Sequence, residues 1–175
     1  VTDLNMQSKQ GDRTILAALS LVGARVSRHG STAATMYDHL RAIQLNVADT
    51  PDLMPPLAIV AAFAEGTSKF IGVQRLRLKE SDRLQSITAA IGALGAQAYI
   101  EGDDTLVIEG HGSLDGGSVD GKSDHRIVMM ASVAASFAND PTTITHAEAI
   151  AKSYPTFFED FRVLGGNVEL TDTTE

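Results

Sequence analysis

Cationic side chains stand at two places where helices are predicted to begin. His125 and Arg126 directly follow Asp124, and Arg83 lies in the opening turn of another predicted helix. Because the amino end of a helix carries partial positive charge, a cation there needs compensation. A bound phosphate or carboxylate would provide it, since free backbone N–H groups and arginine together form an anion site. Solvation or pairing with Asp82, Asp124 or Glu80 is the alternative, and spacing alone leaves both open.

Asp52 precedes an apolar stretch, residues 53–63, that is predicted to be a helix. The commoner role of an aspartate at this place is to cap free N–H groups of the helix. The functional alternative is a carboxylate at the rim of an anion pocket, where it could accept a proton from a substrate hydroxyl. The pattern by itself favours the capping role.

Lysines recur at equivalent places. Lys152 follows an apolar stretch and precedes a break at Pro155, and it aligns with Lys79 and Lys9 in a repeat. If the repeated units surround a pseudo-threefold axis, their equivalent loops and lysines should converge on one end of the molecule. Lysines in loops are usually only solvated, so this indication is weak by itself.

The repeat has a period of about seventy residues, which is a sign of duplicated structural units. Residues 9–13 read KQGDR, and residues 79–83 read KESDR. Each is followed by an apolar helical pattern, a glycine and a short strand pattern, and a third copy surrounds Gly165. Because glycine just past a helix supplies its left-handed stop, the pattern predicts helix, turn and strand three times.

A second repeated element starts at Asp52 and recurs at Asp124. Both copies become apolar on every face, which indicates helices buried all round. Pro55 and Pro56 fit only in the first turn of such a helix. We therefore predict an α/β (α+β) fold of repeated βαβαββ-type units with a pseudo-threefold arrangement around buried helices. The units are expected at about 1–66, 67–140 and, in part, 141–175, forming a single domain.

Strands are predicted where β-branched residues and alternation coincide. These places are 24–28, 43–47, 68–73, 98–101, 105–109, 142–146 and 167–170. Residues 110–123 are rich in glycine and polar side chains and are predicted to be a turn-rich connection.

Composition limits the classes of function. The 175 residues are 43% hydrophobic, enough for a folded core, and the formal net charge of −8 argues against a duplex nucleic-acid partner. The absence of cysteine excludes disulfides and thiolate metal sites and favours a cytoplasmic location. No apolar run of about 18 residues or charged leader predicts a membrane span or signal peptide. Because the chain begins at Val1 rather than methionine, we expect an upstream portion.

Four segments, residues 50–52, 78–84, 124–126 and 151–155, resemble in order and spacing the signature segments of 5-enolpyruvylshikimate-3-phosphate synthase. The resemblance covers essentially the whole chain. It implies an enolpyruvyl transferase-like domain, with six βαβαββ-like units in two domains of which this chain is most of the C-terminal one. The N-terminal domain would be absent, so we expect the chain alone to be inactive.

The reaction implied by the resemblance is transfer of the enolpyruvyl group of phosphoenolpyruvate to the 5-hydroxyl of shikimate 3-phosphate, a step of aromatic amino acid biosynthesis. It needs no metal or organic cofactor. Asp52 resembles the residue that contacts the shikimate hydroxyls and accepts a proton. Lys79 resembles a substrate contact close to the reacting centre, and Glu80 a carboxylate that exchanges protons with the methylene carbon. Whether Lys79 or Glu80 delivers that proton is left open.

The same resemblance implies a cationic clamp on phosphoenolpyruvate, formed by Arg83, Arg126 and Lys152 with His125 beside it. Arginine forks suit the carboxylate and phosphate of this substrate, and lysine serves as a point charge. Arg75 stands where many relatives have an asparagine that contacts the shikimate phosphate, and we expect it to be a substrate contact.

Three other functions are compatible with parts of the pattern. An enolpyruvyl transferase acting on UDP-N-acetylglucosamine is disfavoured by the run of residues 79–83. A non-catalytic anion-binding or assembly module could have kept the fold. An RNA 3′-phosphate cyclase-like protein has similar unit topology, but the acidic balance argues against it.

Overall fold

The structure, a computed structural model, describes residues 1–37 and 39–171. Among them, the α-helices are α1 (Ile15–Leu21), α2 (Met54–Phe63), α3 (Arg83–Ala93), α4 (His125–Ala135) and α5 (Phe157–Val163). The strands are β1 (Arg25–His29), β2 (Thr32–Met36), β3 (Gln44–Asn46), β4 (Gly66–Ile71), β5 (Gln97–Glu101), β6 (Thr105–Gly110), β7 (Gly117–Asp120) and β8 (Thr142–Thr145). Short 3₁₀ segments cover Gly11–Thr14, Pro51–Leu53, Val73–Leu78 and Ala147–Lys152.

The strands of the described residues form three sheets. The largest has the order β3-β4-β6-β5, with β3 parallel to β4 and the other neighbours antiparallel. β1 and β2 form an antiparallel hairpin, and β7 pairs in parallel with β8. Helices and strands are thus mixed along the chain, as the predicted α/β (α+β) class requires.

The three helices α2, α3 and α4 contact one another at the centre of the molecule. α2 also packs on β6, α3 on β5 and β7, and α4 on β8. α2 is buried along nearly its whole length, as its apolar composition predicts. No residue of 124–131 is exposed, as predicted for this stretch, whereas Val133, beyond it on α4, is 43% exposed.

A second, smaller hydrophobic cluster lies beside this core. Val128 of α4 packs with Ala149, Ile150 and Phe157. This contact holds the segment Ala147–Lys152 against α4, and it therefore determines where Lys152 can reach.

Local signals correctly predict where the helices end. Gly23, Gly95 and Gly165 follow α1, α3 and α5 with φ of 103°, 94° and 96°, the left-handed backbone that glycine adopts without steric cost. Pro55 and Pro56 lie in the first turn of α2, where a missing N–H costs nothing. The predicted succession of helix and turn is therefore confirmed in all three copies.

Two predictions about strands are wrong. Residues 167–170 do not form a strand, since no strand of the described residues lies beside them, and the Val168 carbonyl accepts instead from the Arg162 guanidinium. The stretch 110–123 contains β7, whose glycine and serine have low β-propensity but whose backbone pairs with β8. β2 was also not predicted, and it forms as the partner of β1.

The end of β6 packs tightly on the end of α2. A Cβ at Gly110 would collide with the carbonyl oxygens of Ala61, Ala62 and Ala64. We expect Gly110→Ala to lower the free energy of unfolding by about 1–3 kcal/mol, measured by urea denaturation. The control is Gly92→Ala, because a Cβ on this exposed helical residue meets nothing within 4 Å and should stabilise by up to about 1 kcal/mol. Equal stability of the two variants would contradict this account of the packing.

No helix of residues 1–37 and 39–171 combines the length and apolar character needed to cross a membrane.

Candidate functional site

Three cations converge on the carboxylate of Asp52. Its Oδ1 lies 3.0 Å from Lys79 Nζ and 2.9 Å from Arg83 Nη1, and its Oδ2 lies 3.3 Å from Arg126 Nη2. Arg126 Nη1 also donates to the Asp52 backbone carbonyl at 3.3 Å. The structure therefore brings together four residues that the sequence singled out, from places up to 74 residues apart in the chain.

Each of these residues is held by the beginning or end of a regular element. Asp52 lies in the 3₁₀ segment that precedes α2, and Lys79 directly follows the segment Val73–Leu78. Arg83 and Arg126 lie in the first turns of α3 and α4. The buried contacts among α2, α3 and α4 bring these helix starts to one rim.

The capping role favoured for Asp52 by the pattern is wrong. Its side chain caps neither the 3₁₀ segment nor α2 and is committed to the three cations instead. Burial raises the pKa of Asp52, but the hydrogen bond from Lys79 and the charges of Arg126, Lys79 and Arg83 outweigh it, so the pKa lies below its usual value. Asp52 is therefore ionised at neutral pH.

Arg83 is fully buried. It is the hub of a charged cluster, because it contacts all three of the cluster's carboxylates. The cluster consists of Asp52, Lys79, Glu80, Arg83, Asp124 and Arg126. Arg83 Nε donates to Asp124 Oδ2 at 3.0 Å, its Nη1 to Asp52, and its Nη2 to Glu80 and, at 3.2 Å, to Asp124 Oδ1. Four of the five N–H donors of a guanidinium are thus used. For Arg83 the pairing alternative is correct, because carboxylates compensate its charge within the protein.

Asp124 is the buried partner of Arg83 and is one of the carboxylates that the pairing alternative offered. It caps α4 by accepting from the Arg126 backbone N–H at 3.0 Å, as predicted, and it also accepts from Ser81 Oγ at 3.0 Å. Burial raises the pKa of Asp124, but the hydrogen bonds and charge of Arg83 prevail and lower it.

Two further predicted residues lie at the start of α4. Lys152 Nζ donates to the Ser123 carbonyl at 2.8 Å, immediately before Asp124. His125 is buried, and its Nδ1 has no hydrogen-bond partner among the described residues. An unpaired buried nitrogen is costly unless a further group binds it.

Glu80, Arg75 and Lys9 differ in how they relate to the cluster. Glu80 belongs to it through Arg83. Arg75 donates to the Ala48 carbonyl at 3.4 Å, in the stretch that leads to Asp52, rather than to the cluster carboxylates. Lys9 lines a surface depression with Arg28 and residues 8, 10, 11, 13, 14 and 17. No cluster residue lines it, so the expected convergence of lysines does not extend to Lys9.

The charges of the cluster balance. The cations Lys79, Arg83 and Arg126 face the carboxylates of Asp52, Glu80 and Asp124. Arg83 is enclosed, whereas the Lys79 and Arg126 side chains are 25% and 33% exposed. An incoming anion can therefore reach Lys79 and Arg126, and it would compete there with Asp52. Within residues 1–37 and 39–171, no group of three or more His, Asp or Glu side chains is arranged to hold a metal ion.

Comparison with known proteins gives a consistent result. The model of the family EPSP synthase (3-phosphoshikimate 1-carboxyvinyltransferase) matches residues 1–161. The chain is 40% identical over 166 residues to 3-phosphoshikimate 1-carboxyvinyltransferase of Clostridium acetobutylicum, covering 95% of this chain and 38% of that protein. It is 43% identical over 165 residues to the protein of the same name from Methanocella arvoryzae, covering 93% and 39%.

Solved structures agree. EPSP synthase from Acinetobacter baumannii matches with a TM-score of 0.80 and 29% identity, over 90% of this chain and 40% of that one. The enolpyruvyl transferase NikO from Streptomyces tendae shares the fold, with a TM-score of 0.70 and 22% identity over 93% and 38%. The chain spans about two fifths of the length of the curated relatives it matches.

Proposed function

Because this chain belongs to the EPSP synthase family, we propose that it supplies part of a site for enolpyruvyl transfer from phosphoenolpyruvate to the 5-hydroxyl of shikimate 3-phosphate. The observation that carries the proposal is the convergence of Lys79, Arg83 and Arg126 on Asp52. We further propose that an N-terminal domain, absent from this chain, supplies the rest of the site. The chain alone is then inactive.

Phosphoenolpyruvate binds at the start of α4 in this proposal. Arg126 and Lys79 are reachable from solvent, and Lys152 and the unpaired Nδ1 of His125 lie at the same helix end. The amino end of an eleven-residue helix adds partial positive charge. Arg83 is enclosed, and it holds the carboxylates of Asp52, Glu80 and Asp124 in place beside this anion site.

Asp52 acts as the base for the acceptor hydroxyl. Its pKa is low while Lys79 and Arg126 face it, which makes it a weak base in that state. When these two cations turn to the phosphate and carboxylate of the substrate, Asp52 loses their stabilisation and its pKa rises. Anion binding would thus strengthen the base at the moment when a hydroxyl has to be deprotonated.

Protonation of the methylene carbon falls to Lys79 or Glu80. Both lie beside Asp52 and Arg83 in the cluster. Addition across the enol needs an acid for carbon and a base for oxygen, and adjacent residues of opposite charge meet that need. Arg75, on the rim near Ala48, is proposed to contact shikimate 3-phosphate.

The net charge of −8 argues against a nucleic-acid partner, and the absence of cysteine supports a cytoplasmic location.

The test is a fusion in which this chain replaces the matching 166 residues of the Clostridium acetobutylicum relative. We expect the fusion to release phosphate from shikimate 3-phosphate and phosphoenolpyruvate, and the chain alone to release none. The remainder of the relative alone is the matched negative control.

Other substrates separate the alternatives. Phosphate release with UDP-N-acetylglucosamine as the only acceptor would replace the proposal by the related transferase. A folded fusion without turnover of either acceptor would indicate a non-catalytic anion-binding module.

A further inference from the structure

Two loops that carry predicted anion contacts meet at Asp120, the last residue of β7. Asp120 Oδ1 lies 2.9 Å from His146 Nδ1 and accepts from the Lys122 backbone N–H at 2.9 Å. Asp120 Oδ2 lies 2.7 Å from Lys122 Nζ. One carboxylate therefore joins the loop after β7 to the loop after β8.

Each of these loops leads directly to the anion site. The first continues through Gly121 and Ser123 into α4, and the second becomes the segment Ala147–Lys152. Gly121 N donates to the Thr145 carbonyl at 3.0 Å, and Lys152 Nζ donates to the Ser123 carbonyl at 2.8 Å. A shift of either loop would move Lys152 relative to the start of α4.

The backbone at this junction is strained. Lys122, Ser123 and His146 have φ of 53°, 52° and 55°, in the left-handed region that favours glycine. Among residues 1–37 and 39–171, Asp3 is the one other non-glycine residue with positive φ. Such conformations persist where surrounding contacts enforce them, and they cluster at functional sites.

We propose that Asp120 is a positioning residue that locks the loops of Lys122 and His146 together, so that Lys152, His125 and Arg126 face one anion. The inference rests on the proposed anion site at α4. Asp120 itself does not contact that site, and about two fifths of its side chain is exposed. Removal of the Asp120 side chain leaves no buried charge unpaired. We therefore expect it to disturb the position of Lys152 more than the stability of the fold.

Asp120 keeps its charge throughout the range of an assay. The side-chain hydrogen bond from Lys122, together with the backbone N–H of Lys122 and the His146 ring, lowers the pKa of Asp120 to about 2. The Asp120 carboxylate is therefore charged from mildly acidic to alkaline pH.

The experiment measures sulfate affinity of the full chain by calorimetry, and KM and kcat for phosphoenolpyruvate in the fusion. We expect Asp120→Ala to weaken sulfate binding and raise KM about tenfold or more, with a smaller change in kcat. His146→Asn should keep near-native affinity, because asparagine tolerates left-handed backbone and can donate to Asp120. His146→Ala should behave like Asp120→Ala. Asp103→Ala removes an equal charge from the exposed β5–β6 turn and should change neither quantity.

Several outcomes would overturn the inference. One is equal sulfate affinity and KM for Asp120→Ala and Asp103→Ala. Another is a loss of kcat and thermal stability with KM unchanged, which is what a merely structural residue would give. Absence of sulfate binding by the native chain would also overturn it, since no anion would then be positioned.

The inference and the proposed function can fail separately. If the native fusion turns over but Asp120→Ala leaves KM unchanged, the inference alone fails. If the fusion does not turn over while Asp120→Ala still weakens sulfate binding, the proposed function alone fails. Should Asp120→Ala not fold, His146→Ala, which removes the ring that lies 2.9 Å from Asp120 Oδ1 and leaves the loop after β7 unchanged in sequence, replaces it in the same comparison.

Discussion

Arg83→Met is expected to lower the free energy of unfolding by about 3–5 kcal/mol, because it leaves buried carboxylates without their counter-charge. Asp124 is fully buried and receives two hydrogen bonds from Arg83, and Asp52 receives a third. Methionine fills similar volume, so the loss reports charge rather than a cavity. Urea denaturation at pH 7 measures it.

The loss of unfolding free energy caused by Arg83→Met should depend on pH. In the native protein the lowered pKa of Asp124 contributes stability above the unfolded-state pKa, and this contribution is lost as pH falls through the folded-state pKa. In the variant, burial without Arg83 raises the pKa of Asp124, so protonation relieves the penalty as pH falls. The stability difference between native protein and variant should therefore narrow on acidification from pH 7 to pH 4.

Arg77→Met is the matched control. Arg77 lies 3.6 Å from Asp82 in a partly exposed pair, and such pairs contribute up to about 1 kcal/mol. Equal destabilisation by the two substitutions, or a deficit of Arg83→Met that does not change with pH, would refute the role of Arg83 as the buried hub.

Asp52→Asn is expected to lower the kcat of the fusion strongly while tightening anion binding, two effects of opposite direction from one substitution. Removal of a general base lowers kcat by about 100- to 10,000-fold. The same change frees Lys79 and Arg126, which Asp52 engages at 3.0 and 3.3 Å. Loss of one opposing charge at this distance favours the ligand by about 1 kcal/mol or more, so sulfate should bind at least about fivefold tighter.

The pH dependence of sulfate binding gives a second test of Asp52. Above the lowered pKa of Asp52 the native carboxylate is ionised and competes with sulfate for the cations. As pH falls through that pKa, protonation ends the competition, and the native affinity should approach that of Asp52→Asn. The difference between the two proteins is therefore largest at neutral pH and declines in acid.

Asp49→Asn serves as the control for Asp52→Asn. Asp49 is exposed and lies three positions earlier in the chain, outside the ion pairs of the cluster. It should leave kcat unchanged and affect sulfate affinity far less. Weaker sulfate binding by Asp52→Asn would show that Asp52 organises the cations rather than competing for them.

Part of the candidate site could be predicted from sequence, because the type of each charged residue and its place near a helix start are local properties of the chain. The motif at residues 79–83 and the run at residues 124–126 contain most of the residues of the charged cluster. Which charge meets which could not be predicted. Arg83 pairs with carboxylates 31 and 41 residues away in the chain. Sequence spacing does not determine which of such distant residues lie close together in space.

The sequence by itself determined the helices, their ends and the family. Asp82 and Asp124 cap α3 and α4, and Gly95 ends α3, through hydrogen bonds and backbone angles that span only a few residues. The all-apolar α2 had to be buried whatever its neighbours were.

Only the tertiary structure decided that Asp52 is an ion-pair partner rather than a cap, that β7 is a strand and that residues 167–170 are not. A strand exists when a second strand lies beside it, and a carboxylate takes its role from the charges that packing brings within about 4 Å. Both depend on contacts between distant parts of the chain, which α2, α3 and α4 establish by burying one another.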